Sequence, residues 1–301
     1  MIRSFSETRL GREIEAFFID RRARGLSPRT LRYYRQQCRY WYAWCLDHEI
    51  TELPEITPRG LRTWLVTLAD NHSAGGVHAA YRAVRAFLHW AWIENALPDP
   101  CPIDRVAAPR VPRRLLDPVP LPDIAAMIKT CQRTEYGDRD RAILGSLLET
   151  GCRASEFVAL SIGDINDDTG AVRVRNGKGS KERITVMGDG CLALLARYLR
   201  HRAGTQPRDP LWLSQRGARL TYEGLRSIIR RRAARAMVPE PQLHAFRRAF
   251  ALESLRRHMD PYTLMRLMGH EDMDTLRRYL KQTESDLILE RDRLGLVDDL
   301  L

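Results

Sequence analysis

Eight of the sixteen prolines in this 301-residue chain fall in one short stretch, between residues 98 and 122. Proline fixes the backbone torsion φ and lacks an amide donor, so this stretch cannot form the interior of a helix. The residues before it show helical patterns, whereas those after it mix helices with two short alternating strands. We therefore predict a mainly α protein with a small β-sheet, with a helical domain over residues 1–105, a linker over 106–120 and an α+β domain over 121–301.

The charge of the chain indicates a polyanionic partner. Its net charge is +11, and its 45 arginines far outnumber its four lysines. A guanidinium group recognises phosphate with paired hydrogen bonds, although an ordinary solvated basic surface has the same composition. The six cysteines have no metal-ligand spacing, and the first 24 residues have no apolar signal-peptide core. No apolar run is long enough to cross a bilayer, so we expect a cytoplasmic protein with reduced thiols and no membrane partner.

The first segment is typical of three or four helices with basic faces. Ser27 and Pro28 form a helix start, with serine as the N-cap and proline in the first turn. Arginines recur at roughly helical spacing, which predicts contacts with DNA phosphates; solvated amphipathic helices are the alternative. The predicted DNA-binding arginines are Arg29, Arg32, Arg35 and Arg39 on this helix, Arg82 and Arg85 on the helix after Ser73, and Arg226 and Arg230 on a later helix that starts at Thr221.

The second segment contains a predicted β-hairpin with a basic, glycine-rich tip. Residues 171–175 and 182–186 alternate with period two, and residues 176–181 lie between them. The tip places Lys178 between two glycines and Lys181 at its end. It lacks the phosphate-binding loop pattern of ATPases and lies between strands rather than before a helix.

Five further residues have the chemistry needed to attack a phosphodiester: Arg153, His244, Arg247, His270 and Tyr279. Guanidinium groups neutralise phosphate oxygens, imidazoles move protons near neutral pH, and a tyrosine hydroxyl can form a covalent phosphoryl intermediate. His244 and Arg247 are three residues apart on a predicted helix and so share a face. His270 and Tyr279 would face opposite ways on one unbroken helix, so the chain must turn between them. Each residue alone is more often a surface or packing residue, and only the combination is informative.

This set, together with the hairpin lysine, resembles the tyrosine recombinase (phage integrase) family of site-specific DNA recombinases. The resemblance covers nearly the whole chain and implies an all-helical SAM-like core-binding domain followed by an α+β catalytic domain. It implies that Arg153 and Arg247 clamp the scissile phosphate while Tyr279 attacks it, which leaves a 3′-phosphotyrosine and a free 5′ hydroxyl. It also implies that Lys178 is the general acid that protonates the departing 5′ oxygen, with Lys181 as the alternative and otherwise a phosphate contact.

The resemblance extends to the histidines, the cofactors and the partners. His244 is our candidate acceptor of the tyrosine proton, and His270 is expected to orient the phosphate or donate to it. No ATP or other cofactor is expected, since the phosphotyrosine conserves the ester bond, and the sequence has no clustered Asp and Glu residues suited to a two-metal site. The expected assembly is a homotetramer on two duplex DNA recombination sites, alone or with a second recombinase, in the cytoplasm at the nucleoid.

Several alternatives stay open at this point. The segment after His270 lacks the small Ser/Thr-rich stretch of chromosome-dimer-resolving members, so dimer resolution, phage integration and transposition are all compatible with the chain. A short helix predicted within residues 285–301 is expected to dock on a neighbouring protomer, with its own catalytic domain as the alternative. A type IB topoisomerase uses similar chemistry without pairing sites. A non-enzymatic DNA-binding regulator would lack catalytic residues, and none is missing here.

Overall fold

The chain divides into two compact units, Met1–Arg114 and Leu115–Leu301. The computed structural model describes residues 5–95, 97, 99–112, 117–175, 182–202 and 204–269. Among these residues, no helix combines the length and the apolar character that a membrane span requires.

The described residues of the first unit form four α-helices, and the predicted caps are present. The Ser27 hydroxyl accepts a hydrogen bond from the Thr30 amide at 3.2 Å, and Pro28 follows in the first turn. The Ser73 hydroxyl accepts from the Gly76 amide at 3.3 Å in the same way. These caps satisfy amides that have no partner within the helix. The helices are α1 (Arg9–Ala23), α2 (Pro28–Asp47), α3 (Pro58–Ala69) and α4 (Ala74–Glu94).

Aromatic side chains fill the core of the first unit. The ring of Phe87 on α4 lies 5.6 Å from that of Phe17 on α1 and 5.6 Å from that of Trp41 on α2. All three side chains are buried. Each such aromatic pair contributes about 0.5–1.5 kcal/mol beyond the area that it buries. The core therefore joins three helices and leaves their charged faces to solvent.

The first part of the proline-rich stretch packs against the first unit. Ile103 and Val106 belong to the core of that unit. The Tyr81 hydroxyl donates to the Val106 carbonyl at 2.9 Å, and the Nδ1 atom of His78 lies 2.9 Å from the Pro109 carbonyl. Prolines exclude a helix interior here but not tertiary packing, and the linker over residues 106–120 stays a prediction.

The second unit surrounds a single antiparallel β-hairpin with helices, as far as its described residues show. Val172 pairs with Thr185, and Val174 pairs with Arg183. The hairpin was predicted over 171–175 and 182–186, and its tip lies outside the described residues. The predicted fold class, mainly α with a small β-sheet, is confirmed. The elements are α5 (Leu121–Lys129), α6 (Glu135–Thr150), α7 (Ala154–Ala159), β1 (Ala171–Val174), β2 (Arg183–Val186), α8 (Asp189–Leu199), α9 (Tyr222–Ala236), α10 (Leu243–Arg256) and α11 (Pro261–Met268).

Some arginines of the second unit form buried ion pairs. Asp140 on α6 is fully buried and forms ion pairs with Arg139 at 2.8 Å and with Arg232 on α9 at 2.7 Å. Both guanidinium groups are buried as well. Buried charges persist in proteins when they are paired, so Arg139 and Arg232 are both held in the interior by Asp140, and the pair with Arg232 joins α9 to α6. Arginine-rich composition therefore overstates the number of phosphate contacts.

Candidate active site

Arg153 owes its position to a helix end at Gly151. That glycine ends α6 in the left-handed region, with φ of +56°. A Cβ atom at Gly151 would lie 2.3 Å from Cδ1 of Phe250 on α10, so only glycine fits. The chain then restarts as α7, and Arg153 is its N-cap residue. The Arg153 amide donates to Oε2 of Glu156 at 2.9 Å, which fixes the start of the new helix.

Glu156 holds the Arg153 side chain. Nη1 of Arg153 donates to Oε1 of Glu156 at 2.8 Å, and Nη2 of Arg183 on β2 donates to Oε2 at 2.6 Å. Burial raises the pKa of Glu156, but hydrogen bonds from Arg183 and Arg153 more than offset it and place that pKa below its usual range. Glu156 is therefore a carboxylate at neutral pH, and its role is to hold the two arginines.

Arg247 is held by backbone oxygens. It lies on α10 and is 1% exposed. Its Nη1 donates to the Gly151 carbonyl and its Nη2 to the Met268 carbonyl, each at 2.7 Å. Phe246 and Phe250 are buried next to it in α10 and anchor that helix to the core. The guanidinium group thus has a preset orientation in a water-poor environment, where its charge acts strongly.

Three arginines contact three successive backbone carbonyls at the end of α11. Nε of Arg183 donates to the Leu267 carbonyl at 3.0 Å, and Nη2 of Arg247 to that of Met268 at 2.7 Å. Nη2 of Arg153 lies 3.5 Å from the Gly269 carbonyl. The last carbonyls of a helix lack intrahelical partners and carry partial negative charge, so cations stabilise them.

Gly269 is the residue at which this helix stops, as a glycine C-cap commonly does. It ends α11 in the left-handed region with φ of +65°. Because the three arginines bind the last carbonyls, they also fix the backbone directly before His270. His270 itself lies outside the described residues.

His244 is the second residue of α10, and part of its ring is exposed. Burial of the rest of the ring lowers its pKa, and the charges of Arg247, Arg248 and Arg153 lower that pKa further. A helix N-terminus also disfavours a cation. The influence of Arg153 places it near His244, although the two are far apart in sequence. The imidazole is therefore neutral at pH 7 and able to accept a proton.

Four predicted site residues lie outside the described residues: Lys178, Lys181, His270 and Tyr279. Their roles stay predictions, as does the docking of residues 285–301. The structure brings together the other three catalytic candidates, which are Arg153, His244 and Arg247.

Arg183 was not among the candidates from sequence. One signal could have identified it. It shares a strand face with Thr185, whose side chain is buried, and an arginine on an inward face needs a partner.

The predicted DNA-binding arginines are exposed. Tyr33 on α2 donates to the Ala79 carbonyl on α4 at 2.5 Å, which joins the two basic helices. Burial raises the pKa of Tyr33, and the charge of Arg82 lowers it in part, so Arg82 lies near α2. Two of these arginines have acidic neighbours, since Arg85 lies 3.6 Å from Asp104 and Arg226 lies 3.8 Å from Glu240. The exposed set comprises Arg29, Arg32, Arg35, Arg39, Arg82, Arg85, Arg226 and Arg230.

Comparison with known proteins agrees with this arrangement. Residues 120–286 match the Phage integrase family, and residues 14–95 match the Phage integrase N-terminal SAM-like domain. Tyrosine recombinase XerC of Pelobacter propionicus is 30% identical over 261 residues, which cover 85% of each chain. Tyrosine recombinase XerD of Staphylococcus epidermidis is 28% identical over 272 residues, which cover 88% of this chain and 91% of that protein.

A solved structure shares the fold. The Tn1549 transposon integrase in complex with a circular intermediate DNA superposes with a TM-score of 0.73 at 18% identity, over 94% of this chain and 99% of that one. The chain therefore belongs to the phage integrase family. The predicted enzyme class, the tyrosine recombinases, is confirmed, as is the predicted pairing of a SAM-like domain with a catalytic domain.

Proposed function

We propose that this protein cuts and rejoins duplex DNA at specific sites through a 3′-phosphotyrosine on Tyr279. One observation carries the proposal: Arg153 and Arg247 come from separate helices, yet both hold the end of α11 directly before His270. Two guanidinium groups and a neutral His244 form the type of site that recognises a phosphodiester and moves a proton.

The arginines act on the phosphate. Arg247 is oriented by two carbonyls and Arg153 by one carboxylate. A guanidinium has five N–H groups, and the Arg153 side chain is 31% exposed, so a non-bridging oxygen of a bound phosphate can reach it. Positive charge that is already in place stabilises the additional negative charge of the transition state without reorganisation.

Tyr279 and His244 carry out the first chemical step together. The Tyr279 oxygen attacks phosphorus, and the bond from phosphorus to the 5′ oxygen breaks. The phenol proton passes to His244, whose lowered pKa keeps it neutral and ready to accept. The attack conserves one phosphoester bond, so the reverse attack by a 5′ hydroxyl rejoins DNA without ATP.

The departing 5′ oxygen needs a proton, which we assign to Lys178. The chain has only four lysines, and two of them, Lys178 and Lys181, lie in the predicted hairpin tip. An ammonium group has protons to give near neutral pH, whereas an arginine cannot act as an acid in this range. Metal and ATP independence remain predictions.

The proposed partner is duplex DNA bound by the basic faces of α2, α4 and α9. The proposed assembly is a homotetramer on two sites, or one that includes a second recombinase, at the nucleoid in the cytoplasm. Deletion of residues 286–301 tests the assembly. If the tail docks on a neighbour, native gels should show single-site binding but no paired sites, whereas full pairing would mean that the tail docks in cis.

A trapped covalent complex tests the reaction. Genomic DNA fragments incubated with the protein should give an adduct that survives denaturation, and sequencing of that DNA should give one recurring site. Tyr279→Phe should bind the same site but give no adduct, because only the nucleophilic hydroxyl is lost. Tyr262→Phe is the matched control, since Tyr262 is 65% exposed on α11 and has no proposed role. An adduct with Tyr279→Phe would disprove the assignment.

A further inference from the structure

One carboxylate serves two arginines of the second unit. Oε1 of Glu156 accepts from Nη1 of Arg153 at 2.8 Å, whereas Oε2 accepts from Nη2 of Arg183 at 2.6 Å. The Glu156 side chain is 3% exposed and that of Arg183 is 9% exposed. Glu156 thus links an arginine of the proposed site to the strand that follows the hairpin tip.

A carboxylate next to a guanidinium tends to accept two parallel N–H bonds from it. Such a fork between Glu156 and Arg153 would use N–H groups that a phosphate requires and would neutralise the charge of Arg153. Arg183 already occupies Oε2, and its Nε is held by the Leu267 carbonyl at 3.0 Å. The Arg183 guanidinium therefore cannot follow a rotation of the carboxylate without the loss of its bond to α11.

The net charge of Arg153, Glu156 and Arg183 together also favours binding of a phosphate. Glu156 alone with Arg153 would be a neutral pair. With Arg183 included, two cations share one anion, and the cluster has a net positive charge at neutral pH, where Glu156 is ionised. In a buried setting such a charge acts over several ångströms with little screening.

We propose that Arg183 is a positioning residue for recombination: it holds Glu156 in the orientation that leaves N–H groups of Arg153, and the net positive charge of the cluster, available to the scissile phosphate. This inference rests on the proposed role of Arg153. Arg183 acts through Glu156 and does not itself touch the DNA. A residue with only a structural role would support the fold but would not set the net charge of the cluster that faces the phosphate.

The first experiment compares two DNA substrates that contain the site recovered from the covalent adduct. In one of them a methyl group replaces a non-bridging oxygen of the scissile phosphate, so that this linkage carries no charge. We expect Arg183→Ala to slow single-turnover cleavage of ordinary DNA by about 100-fold. On the uncharged linkage, the loss should be less than about tenfold, because less negative charge requires stabilisation. Equal losses on both substrates would overturn the proposal.

The second experiment removes the carboxylate. Without Arg183, both oxygens of Glu156 should accept hydrogen bonds from Arg153 and occupy the N–H groups that the phosphate requires. Glu156→Gln removes that charge, so the double variant Arg183→Ala with Glu156→Gln should cleave ordinary DNA faster than Arg183→Ala alone. A merely structural pair would show additive or greater loss instead. Arg173→Ala is the matched control, because Arg173 is exposed on the outer face of the same hairpin and should cleave both substrates normally.

Two further variants keep the test decisive. If Arg183→Ala does not fold, Arg183→Lys takes its place: it keeps a cation on Glu156 and should cleave within about tenfold of the unchanged protein. A folded Arg183→Lys with a far larger loss would overturn the proposal.

Arg153→Ala distinguishes failure of this inference from failure of the proposed function. If the uncharged linkage rescues Arg153→Ala but not Arg183→Ala, only the present inference fails; if it rescues neither, the proposed role of Arg153 fails.

Discussion

Arg247 on α10 donates a 2.7 Å hydrogen bond to the carbonyl of Gly151, the residue that ends α6. A single residue thus performs two functions in the site. Its left-handed backbone lets the chain turn into the helix that begins after Arg153, and its oxygen orients the second arginine. The geometry of both guanidinium groups therefore depends on one glycine.

Gly151→Ala should destabilise the second unit. The left-handed conformation costs an L-residue about 1–2 kcal/mol, and the added Cβ would lie 2.3 Å from the Phe250 ring. Overpacking of this kind costs about 1–3 kcal/mol, so we expect the free energy of unfolding to fall by roughly 2–5 kcal/mol in urea titrations. Gly190→Ala on α8 is the control, since its Cβ would meet nothing within 4 Å. Equal midpoints for the two variants would contradict this account of Gly151.

Lys178→Ala should cleave ordinary DNA poorly, because the 5′ oxygen would leave without a proton. A substrate with sulfur in place of that bridging oxygen should restore cleavage, since a thiolate leaves readily. The measurement is the rate of covalent adduct formation on each substrate. Lys181→Ala is the matched comparison. If sulfur rescues Lys181→Ala and not Lys178→Ala, the general acid is Lys181.

Binding of DNA should depend steeply on salt, because exposed arginines on α2, α4 and α9 would displace counterions from phosphates. The logarithm of the affinity should fall linearly with the logarithm of salt concentration, with a slope of about 0.9 per phosphate contacted. Arg32→Ala and Arg82→Ala should each reduce that slope by about one contact. Arg200→Ala, an exposed arginine outside the predicted faces, should leave it unchanged. A slope that neither variant alters would exclude these two contacts.

Protonation of His244 should slow cleavage on the acidic side of neutral pH. Burial and three neighbouring arginines lower the pKa of His244 below its ordinary value of 6.5, so the imidazole stays neutral at pH 7 and gains a proton only as pH falls through that lowered pKa. Single-turnover rates measured from about pH 5 to pH 8 should therefore decline on the acidic side below 6.5.

The variants of this pH series decide which histidine is responsible. His244→Gln should be slow throughout and should lack this acidic decline. His72→Gln, at an exposed position in the first unit, should keep the profile of the unchanged protein. An identical acidic decline in His244→Gln would assign the proton acceptor to another group.

Local chemistry made much of the framework predictable. Ser27 and Ser73 cap helices because a short hydroxyl side chain next to free amides needs no distant partner. Gly269 ends α11 because glycine tolerates positive φ. His244 and Arg247 share a face because a helix repeats every 3.6 residues. These features depend on neighbours only a few residues away, so they can be read from order and spacing.

The environment of each charge was decided by the tertiary structure. Sequence patterns do not distinguish Arg232, which is buried against Asp140, from Arg230, which is exposed although it lies only two residues earlier in the chain. Nor do they show that Arg85 has Asp104 as a neighbour. An arginine can form hydrogen bonds or ion pairs with any carbonyl, carboxylate or phosphate nearby. Its role therefore depends on which of these groups the fold places next to it.

The sequence by itself thus determined the family, the fold class and the set of candidate site residues. Only the tertiary structure decided that Arg153, Arg183 and Arg247 meet at the end of α11 and that Glu156 is shared between two of them. The physical reason is the range of the interactions involved. Caps and helical periodicity act between near neighbours in the chain, whereas ion pairs and burial join groups as far apart as Gly151 and Arg247, whose contact exists only once α6 and α10 have packed.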